Sequence, residues 1–195
     1  MTFLPTYNGH GCHRQVLTQF SIHHRDSIDG ELRHSEFLAD ALRDCERELA
    51  ETLIEKLGHR GAIFVYSGFE RQRVSDLARA FPDVAPQLGA VLQRLKDLLP
   101  LVEKYIYHPG FRGKYTIKKV LPALVPDLSY KGMGIADGGT AIARFAQMAR
   151  GQIVGEQIGV TRNQLLEYCK MDTLAMVRVH ETMHSLAAKR QAGSS

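Results

Sequence analysis

The first third of the chain carries the alternation of apolar and polar positions that is typical of paired strands. Between Val16 and Asp26, the side chains of Phe20 and Ile22 are separated by polar residues, and a second segment, GELRHSEFLAD, follows the turn signal Asp29-Gly30. Strands joined by such a turn commonly pair with each other. The pattern therefore predicts a β-hairpin.

A helical periodicity replaces this alternation further along the chain. From Asp40 to Leu57, leucine or cysteine recurs every three to four residues among charged positions, and Gly58 follows as a stop signal. This spacing places the apolar residues on one face of an amphipathic helix. The same criteria predict helices over residues 70–80, 84–99, 116–124 and 140–149.

A short apolar run interrupts the helical segments. The run from Gly61 to Ser67 shows no alternation, which suits a strand covered on both faces. Helices on both sides of it predict an α/β fold. Residues 150–160 contain three glycines and are expected to form a mobile loop, after which Thr161 and Gln164 have the spacing of a capping box that begins the last helix.

Composition limits the remaining possibilities. A chain of 195 residues with 44% hydrophobic content is expected to form one domain, here residues 1–188 with a flexible tail at 189–195. It contains neither a secretory signal nor an apolar run that could span a bilayer, so we expect a cytoplasmic protein without membrane contact. The excess of 25 basic over 21 acidic residues is mild and does not by itself indicate nucleic acid. Cys12, Cys45 and Cys169 lack the spacing of a disulfide framework or a zinc ribbon.

One acid interrupts the apolar stripe of the last helix. Leu165, Cys169, Asp172, Met176 and Val179 follow one another at steps of three and four, so they share one helical face. A carboxylate on that face loses hydration when the helix docks, and it therefore needs a partner. Such an acid either bonds to a backbone turn or an arginine, reaches water at the margin of the stripe, or binds a metal ion.

Two further residues are candidates for the same chemistry. Tyr168 precedes Asp172 by one helical turn, so both side chains can face one cavity. Glu70 follows the buried strand, where open α/β sheets bind ligands, although an acid in the first turn of a helix also stabilises that helix. The residue pattern alone leaves both interpretations of Glu70 open.

Four segments together resemble a known superfamily. They are VYSGFERQRVSDLARAFPD, KYIYHPGFRGKYTIKKVLPALVPDLSY, ADGGTA and EYCKMDTLAMVRVHE. They are similar to a bacterial family of domains of unknown function among the ribonuclease-H-like 3′-5′ exonucleases of the DEDD type, named for their four carboxylates. The resemblance runs from about Thr2 to about Glu181, and such domains usually form the C-terminal part of longer proteins.

The resemblance implies both an architecture and a reaction. The expected fold is a mixed sheet flanked by helices, with a site for two Mg²⁺ or Mn²⁺ ions at its edge that hydrolyses phosphodiesters of DNA or RNA. Glu70 corresponds to the acid of the second motif and Asp172 to that of the third, both as metal ligands. Tyr168 corresponds to the residue that orients the attacking water in the tyrosine subtype.

Two departures from the family pattern change this expectation. The second motif usually contains an Asn and an Asp, whereas this chain has Tyr66, Ser67 and Glu70 there. The first motif, Asp-x-Glu, ends where Met1 stands, so we expect the first, central strand and two carboxylates to be missing. A weak or inactive nuclease follows, with free strand edges that favour aggregation or dimerisation by strand pairing.

A basic segment with interleaved aromatic residues suggests how nucleic acid could bind. Its candidate residues are Arg112, Lys114, Tyr115, Lys118 and Lys119, in which the cations would follow phosphates and the ring would stack on a base. A solvated helix face over core aromatics explains the pattern equally well. The resemblance implies an exonuclease-like domain for single-stranded ends, and a non-catalytic module that binds nucleic acid or protein is the alternative.

Two other motifs suggest metal binding. His180 to His184 matches the zinc motif H-E-x-x-H, but no further His, Asp or Glu follows to complete the ligands, so we interpret the match as accidental. His10, Cys12 and His13 could bind a soft metal ion, although a flexible N-terminal loop with incidental histidines is the favoured interpretation.

Overall fold

The computed structural model describes residues 2–8 and 12–192, with side chains described for residues 16–189. Three strands come first along this part of the chain, and helices with two further short strands follow them. A single 3₁₀ turn at Pro109–Phe111 lies between the fourth and fifth helices. The strands are β1 Thr2–Asn8, β2 Cys12–His24, β3 Arg33–Leu38, β4 Ile63–Val65 and β5 Leu95–Asp97. The helices are α1 Glu46–Leu57, α2 Phe69–Ala80, α3 Ala85–Arg94, α4 Leu99–Tyr105, α5 Ile117–Leu124, α6 Gly138–Ala149 and α7 Glu156–Ala192.

The strands form two small sheets. In the first, β2 lies between β1 and β3 and is antiparallel to both, with Gln19 opposite Thr2 on one side and Leu38 on the other. In the second, β4 and β5 are parallel, and Ile63 lies opposite Leu95. The mixed α/β class and the predicted hairpin are therefore confirmed.

The predicted helix over residues 84–99 is wrong in its last turn. Helix α3 ends at Arg94, and residues 95–97 form the strand that pairs with β4. The apolar periodicity continues across this boundary because Leu95 and Leu98 are both buried. Strand pairing across the fold overrides the local helical pattern here.

The predicted ends of two other helices also differ from the structure. Helix α1 begins at Glu46 rather than at residue 40, because turns occupy the residues before it. Helix α7 begins at Glu156, so only the first half of the predicted loop at 150–160 is irregular. Thr161 is consequently buried inside α7 and does not form a capping box. The helix continues to Ala192, which removes most of the predicted tail, and residues 193–195 lie outside the described residues.

Three hydrophobic clusters form the core, and α7 contributes to two of them. Leu165 and Tyr168 pack with residues of α6, whereas Met171, Ala175 and Val179 pack with residues of α4 and α5. The third cluster joins β2 and β4 to helices α1, α2 and α3. Asp172 therefore lies beside the boundary between the two clusters that share α7.

Arg94 fixes the segment that leads into β4. Its guanidinium donates to the backbone oxygens of Leu57, Gly58, Arg60 and Gly61 at 2.5–2.8 Å. The first two oxygens belong to the end of α1, where the helix dipole favours a cation. Through these bonds the end of α3 is tied to the turn between α1 and β4.

Candidate functional site

A cavity of about 610 Å³ lies between the two sheets. The end of β2 lines it from Ser21 to Asp26, the β4 segment lines it from Gly61 to Ser67, and residues of α7 also face it. Its walls include apolar side chains of the core, while Glu70, Tyr168 and Asp172 supply polar atoms. The structure thus brings the three predicted catalytic residues to one cavity.

Two phenols lie beside the carboxylate of Asp172. The Tyr130 hydroxyl donates to Asp172 Oδ1 at 2.8 Å, and Tyr168 lies one turn before Asp172 on α7 and lines the same cavity. Burial raises the pKa of both tyrosines well above their usual range, and the negative charge of Asp172 raises it further. Both phenols therefore remain protonated donors at any physiological pH.

Lys118 lies over the rings of these two phenols. Its ammonium is 5.3 Å from the ring centroid of Tyr130 and 5.1 Å from that of Tyr168. The same ammonium donates to the backbone oxygen of Ala136 at 2.7 Å. A cation above an aromatic face is attracted to it, so this contact restrains both rings.

Glu70 lies in the first turn of α2, and its side chain faces the cavity. The structure therefore leaves both interpretations of this residue open. Its Oε2 is buried and has no hydrogen-bond partner among the described atoms. Burial raises the pKa of Glu70, and the negative charges of Asp97 and Asp172 raise it further.

The end of β5 supplies a carboxylate that supports the turn after β4 and that the sequence analysis missed. Asp97 Oδ1 accepts hydrogen bonds from the backbone N–H of Ser67 at 2.8 Å and of Leu99 at 2.9 Å. Ser67 has a φ of 86°, in the left-handed region that side chains rarely adopt, so this bond stabilises a strained turn after β4. The position of Asp97 at the carboxyl end of a strand could have indicated it, but β5 was predicted as helix.

Two carboxylates, those of Glu70 and Asp172, line the cavity. In the described part of the chain, no group of three or more His, Cys, Asp or Glu is arranged to hold a metal ion. Mg²⁺ often binds through one or two carboxylates together with water and substrate phosphates. The unpartnered oxygen of Glu70 is the feature that a cation would satisfy.

The predicted nucleic-acid residues fall into two groups. Arg112, Lys114 and Lys119 are exposed, whereas Lys118 is held against the two tyrosine rings. Tyr115 is half-buried, and its backbone oxygen accepts a hydrogen bond of 2.6 Å from the hydroxyl of Tyr66, which lines the cavity. The exposed rings of this segment belong instead to Tyr105 and Tyr107, with exposed fractions of 60% and 84%.

The H-E-x-x-H motif adjoins the same cavity through His180, but its side chains have other partners. The ring of His180 packs against Phe64, with centroids 4.3 Å apart, and Glu181 pairs with Arg25 and Arg178 at 2.8 Å. The carboxylate that would act as the base of a zinc enzyme is therefore engaged by two arginines. In the N-terminal motif, His10 lies outside the described residues, and Cys12 and His13 belong to β2, with side chains that are not described.

A network of hydrogen bonds joins α7 to the hairpin at the wall of the cavity. Thr173 Oγ1 lies 2.8 Å from both Ser21 Oγ and His23 Nδ1, and Ser21 Oγ lies 2.8 Å from His34 Nε2. The two imidazole rings are in contact, with centroids 4.6 Å apart. Burial lowers the pKa of His23, and nearby positive groups add to this effect, so that the pKa falls from 6.5 to about 4 in total. These groups are His34, Lys170, His24 and Arg178.

This network predicts a loss of stability in acid. The folded state holds His23 neutral, whereas the unfolded chain binds a proton near the usual pKa of 6.5, so stability falls as the pH is lowered from 6.5 towards about 4. We expect His23→Gln to reduce this slope when urea midpoints are compared across the range. His59→Gln, at an exposed position, serves as the control and should keep the wild-type slope. Parallel curves for wild type and His23→Gln would contradict the prediction.

The comparisons with known proteins identify a family. Residues 1–116 match the family described as a domain of unknown function (DUF2779). The chain belongs to this family. The part matched by DUF2779 covers both sheets, α2 and Glu70, whereas Lys118, Tyr130, Tyr168 and Asp172 follow it in the chain. No curated protein and no solved structure matches the chain. In the described residues, no helix has the length and apolar character needed to cross a bilayer.

Proposed function

We propose that this chain is a metal-dependent nuclease domain of the ribonuclease-H-like 3′-5′ exonuclease type, acting on single-stranded ends of DNA or RNA. The observation that carries the proposal is the convergence of Glu70, Tyr168 and Asp172 on one cavity, although about 100 residues separate the first from the others. A carboxylate at a strand end and a Tyr-x-x-x-Asp pair on a helix are the features on which the sequence resemblance rests.

Each of these three residues has a separate role in the proposed reaction. Glu70 and Asp172 would hold Mg²⁺ or Mn²⁺, which supplies Lewis-acid activation of a phosphodiester when bound. The Tyr168 hydroxyl lies beside the carboxylate of Asp172 and can orient a water molecule there through a hydrogen bond. With two carboxylates instead of four, the ion would be held weakly, so we propose low or no activity for this chain.

The separation of the two sheets supports the ribonuclease-H-like interpretation of the fold. Beyond Gln19, the edge of β2 that pairs with β1 has no strand partner among the described residues, and neither has the edge of β4 that faces away from β5. The cavity is lined by both of these segments. A strand inserted between them would join the two sheets into one mixed sheet, which is the arrangement that the family resemblance implies.

The experiment is a nuclease assay with substitutions at the cavity. Purified chain at high concentration is incubated with Mn²⁺ and 5′-labelled single-stranded DNA or RNA, and shortened products are resolved on a gel. We expect slow trimming that falls by at least about tenfold in Asp172→Ala and in Tyr168→Phe. Glu167→Ala, at an exposed position of the same helix, is the matched control and should retain wild-type trimming. Trimming that is unchanged in Asp172→Ala would assign it to a contaminant and overturn the proposal.

A non-catalytic module that binds nucleic acid is the second candidate. The exposed cations Arg112, Lys114 and Lys119 and the exposed rings of Tyr105 and Tyr107 favour it, since cations and aromatic rings together bind single strands without sequence preference. Binding of a labelled single strand that weakens with salt, without any trimming in Mn²⁺, would select this candidate.

A further inference from the structure

Tyr130 reaches Asp172 from a distant part of the chain. The two residues are 42 positions apart, and the hydroxyl of Tyr130 donates to Asp172 Oδ1 at 2.8 Å. The ring of Tyr130 also contacts that of Tyr168, with centroids 6.4 Å apart. One candidate ligand is therefore bonded to a side chain that the sequence motifs did not identify.

This hydrogen bond is made by a restrained donor. The ring of Tyr130 packs with the core residues at the boundary of two hydrophobic clusters, and the ammonium of Lys118 lies over it. The bond of Lys118 to the backbone oxygen of Ala136 fixes the cation in turn. A phenol held in this way presents its O–H in one direction, so the acceptor Asp172 is also held in one orientation.

The hydrogen-bond donor to Asp172 is a neutral phenol rather than a charged side chain. Asp172 has no ion pair with Arg or Lys among the described side chains, and the neutral phenol of Tyr130 donates a hydrogen bond to its carboxylate instead. Neutral donors orient a carboxylate while leaving its negative charge uncompensated. A carboxylate that is oriented but not neutralised is suited to bind a cation, because carboxylates that bind metal ions are themselves commonly held by hydrogen bonds.

From this geometry we propose that Tyr130 is a positioning residue, which orients the carboxylate of Asp172 for a divalent cation. The inference rests on the proposed function, because it assigns Asp172 as a metal ligand. Partners of this kind typically contribute a factor of about 10–100 to metal affinity. Lys118 then belongs to the same assembly as a restraint on the two rings, and not to the surface that contacts phosphates.

The test is direct measurement of Mn²⁺ binding by calorimetry. We expect Tyr130→Phe, which keeps the ring under Lys118 and removes only the donor, to bind Mn²⁺ about 10–100-fold more weakly than wild type. Tyr105→Phe removes a hydroxyl from an exposed ring and is the control, with affinity equal to wild type. Thermal unfolding without metal verifies that Tyr130→Phe is folded and measures the stability that the bond contributes.

The outcomes separate the two proposals. If wild type binds Mn²⁺ and Tyr130→Phe binds it equally well, then Tyr130 has only a structural role and this inference fails while the metal site stands. If wild type shows no Mn²⁺ binding, then both the metal site and the inference that rests on it fail. Weaker binding in Tyr130→Phe, with unchanged binding in Tyr105→Phe, supports the positioning role.

Discussion

Truncation of Leu165 to alanine is expected to lower the free energy of unfolding by about 2–5 kcal/mol, the usual cost of removing a fully buried leucine side chain. Leu165 is 0% exposed and packs with Ala141 and Phe145 of α6. It lies one turn before Tyr168, so the cavity left by the truncation would adjoin the candidate site. The free energy of unfolding of a domain of ordinary stability is only about 5–15 kcal/mol, so this loss is a large fraction of it.

Urea unfolding followed by circular dichroism measures this change. Leu186→Ala on the same helix is the matched control, because Leu186 is 46% exposed and its truncation is expected to cost less than about 1 kcal/mol. A loss in Leu165→Ala as small as that expected for Leu186→Ala would show that the α6–α7 contact contributes little to stability.

We expect a strand added to the N-terminus to pair with the free edge of β2 and to raise the melting temperature of the chain. The register of β1 on β2 directs such an extension along the free edge beyond Gln19, towards the cavity. Burial of valine side chains and new backbone hydrogen bonds favour this pairing, and the entropy of ordering the added residues opposes it. The experiment compares thermal unfolding of the chain with that of a variant extended by Val-Thr-Val-Thr-Val-Thr.

An extension of Gly-Ser-Gly-Ser-Gly-Ser is the control, and we expect no stabilisation from it, because it buries no apolar side chain. Hydrogen exchange at Ser21 to His24 and at Ile63 to Val65 should slow only with the valine-containing extension.

We also propose that the free edges pair between two copies, so sedimentation velocity should show a dimer that the valine-containing extension dissociates. Identical melting temperatures for the two extended variants would overturn the proposal that a strand fits between the sheets.

The sequence predicted elements that depend on local periodicity. The apolar spacing located α2 within one residue, as well as most of α1, α5 and α6, and the Asp29-Gly30 turn located the hairpin. A strand as short as β5 carries no alternation that could be recognised, and its conformation depends on pairing with β4. The prediction placed all three glycines of residues 150–160 in a loop. In the structure, Gly151 and Gly155 precede α7, whereas Gly159 lies within it.

Local spacing along the chain predicted some residues of the candidate site and could not predict others. The step of four from Tyr168 to Asp172 predicted their common face, and Glu70 was indicated by its place after a buried strand. Tyr130 and Lys118 meet Asp172 and Tyr168 only through packing of distant segments, so spacing along the chain could not indicate those contacts. For the same reason the sequence analysis grouped Lys118 with the exposed cations, whereas the structure places it over the rings of Tyr130 and Tyr168.

The length of α7 connects ligand binding in the cavity to local opening of the helices that pack against α7. The helix has 37 residues, which corresponds to about 55 Å, and it supplies side chains to two hydrophobic clusters on either side of Asp172. Local opening of either cluster releases the helix and with it one wall of the cavity. A ligand bound at Asp172 must therefore slow amide exchange in α5 and α6 alike, since neither can open without giving up part of the binding energy.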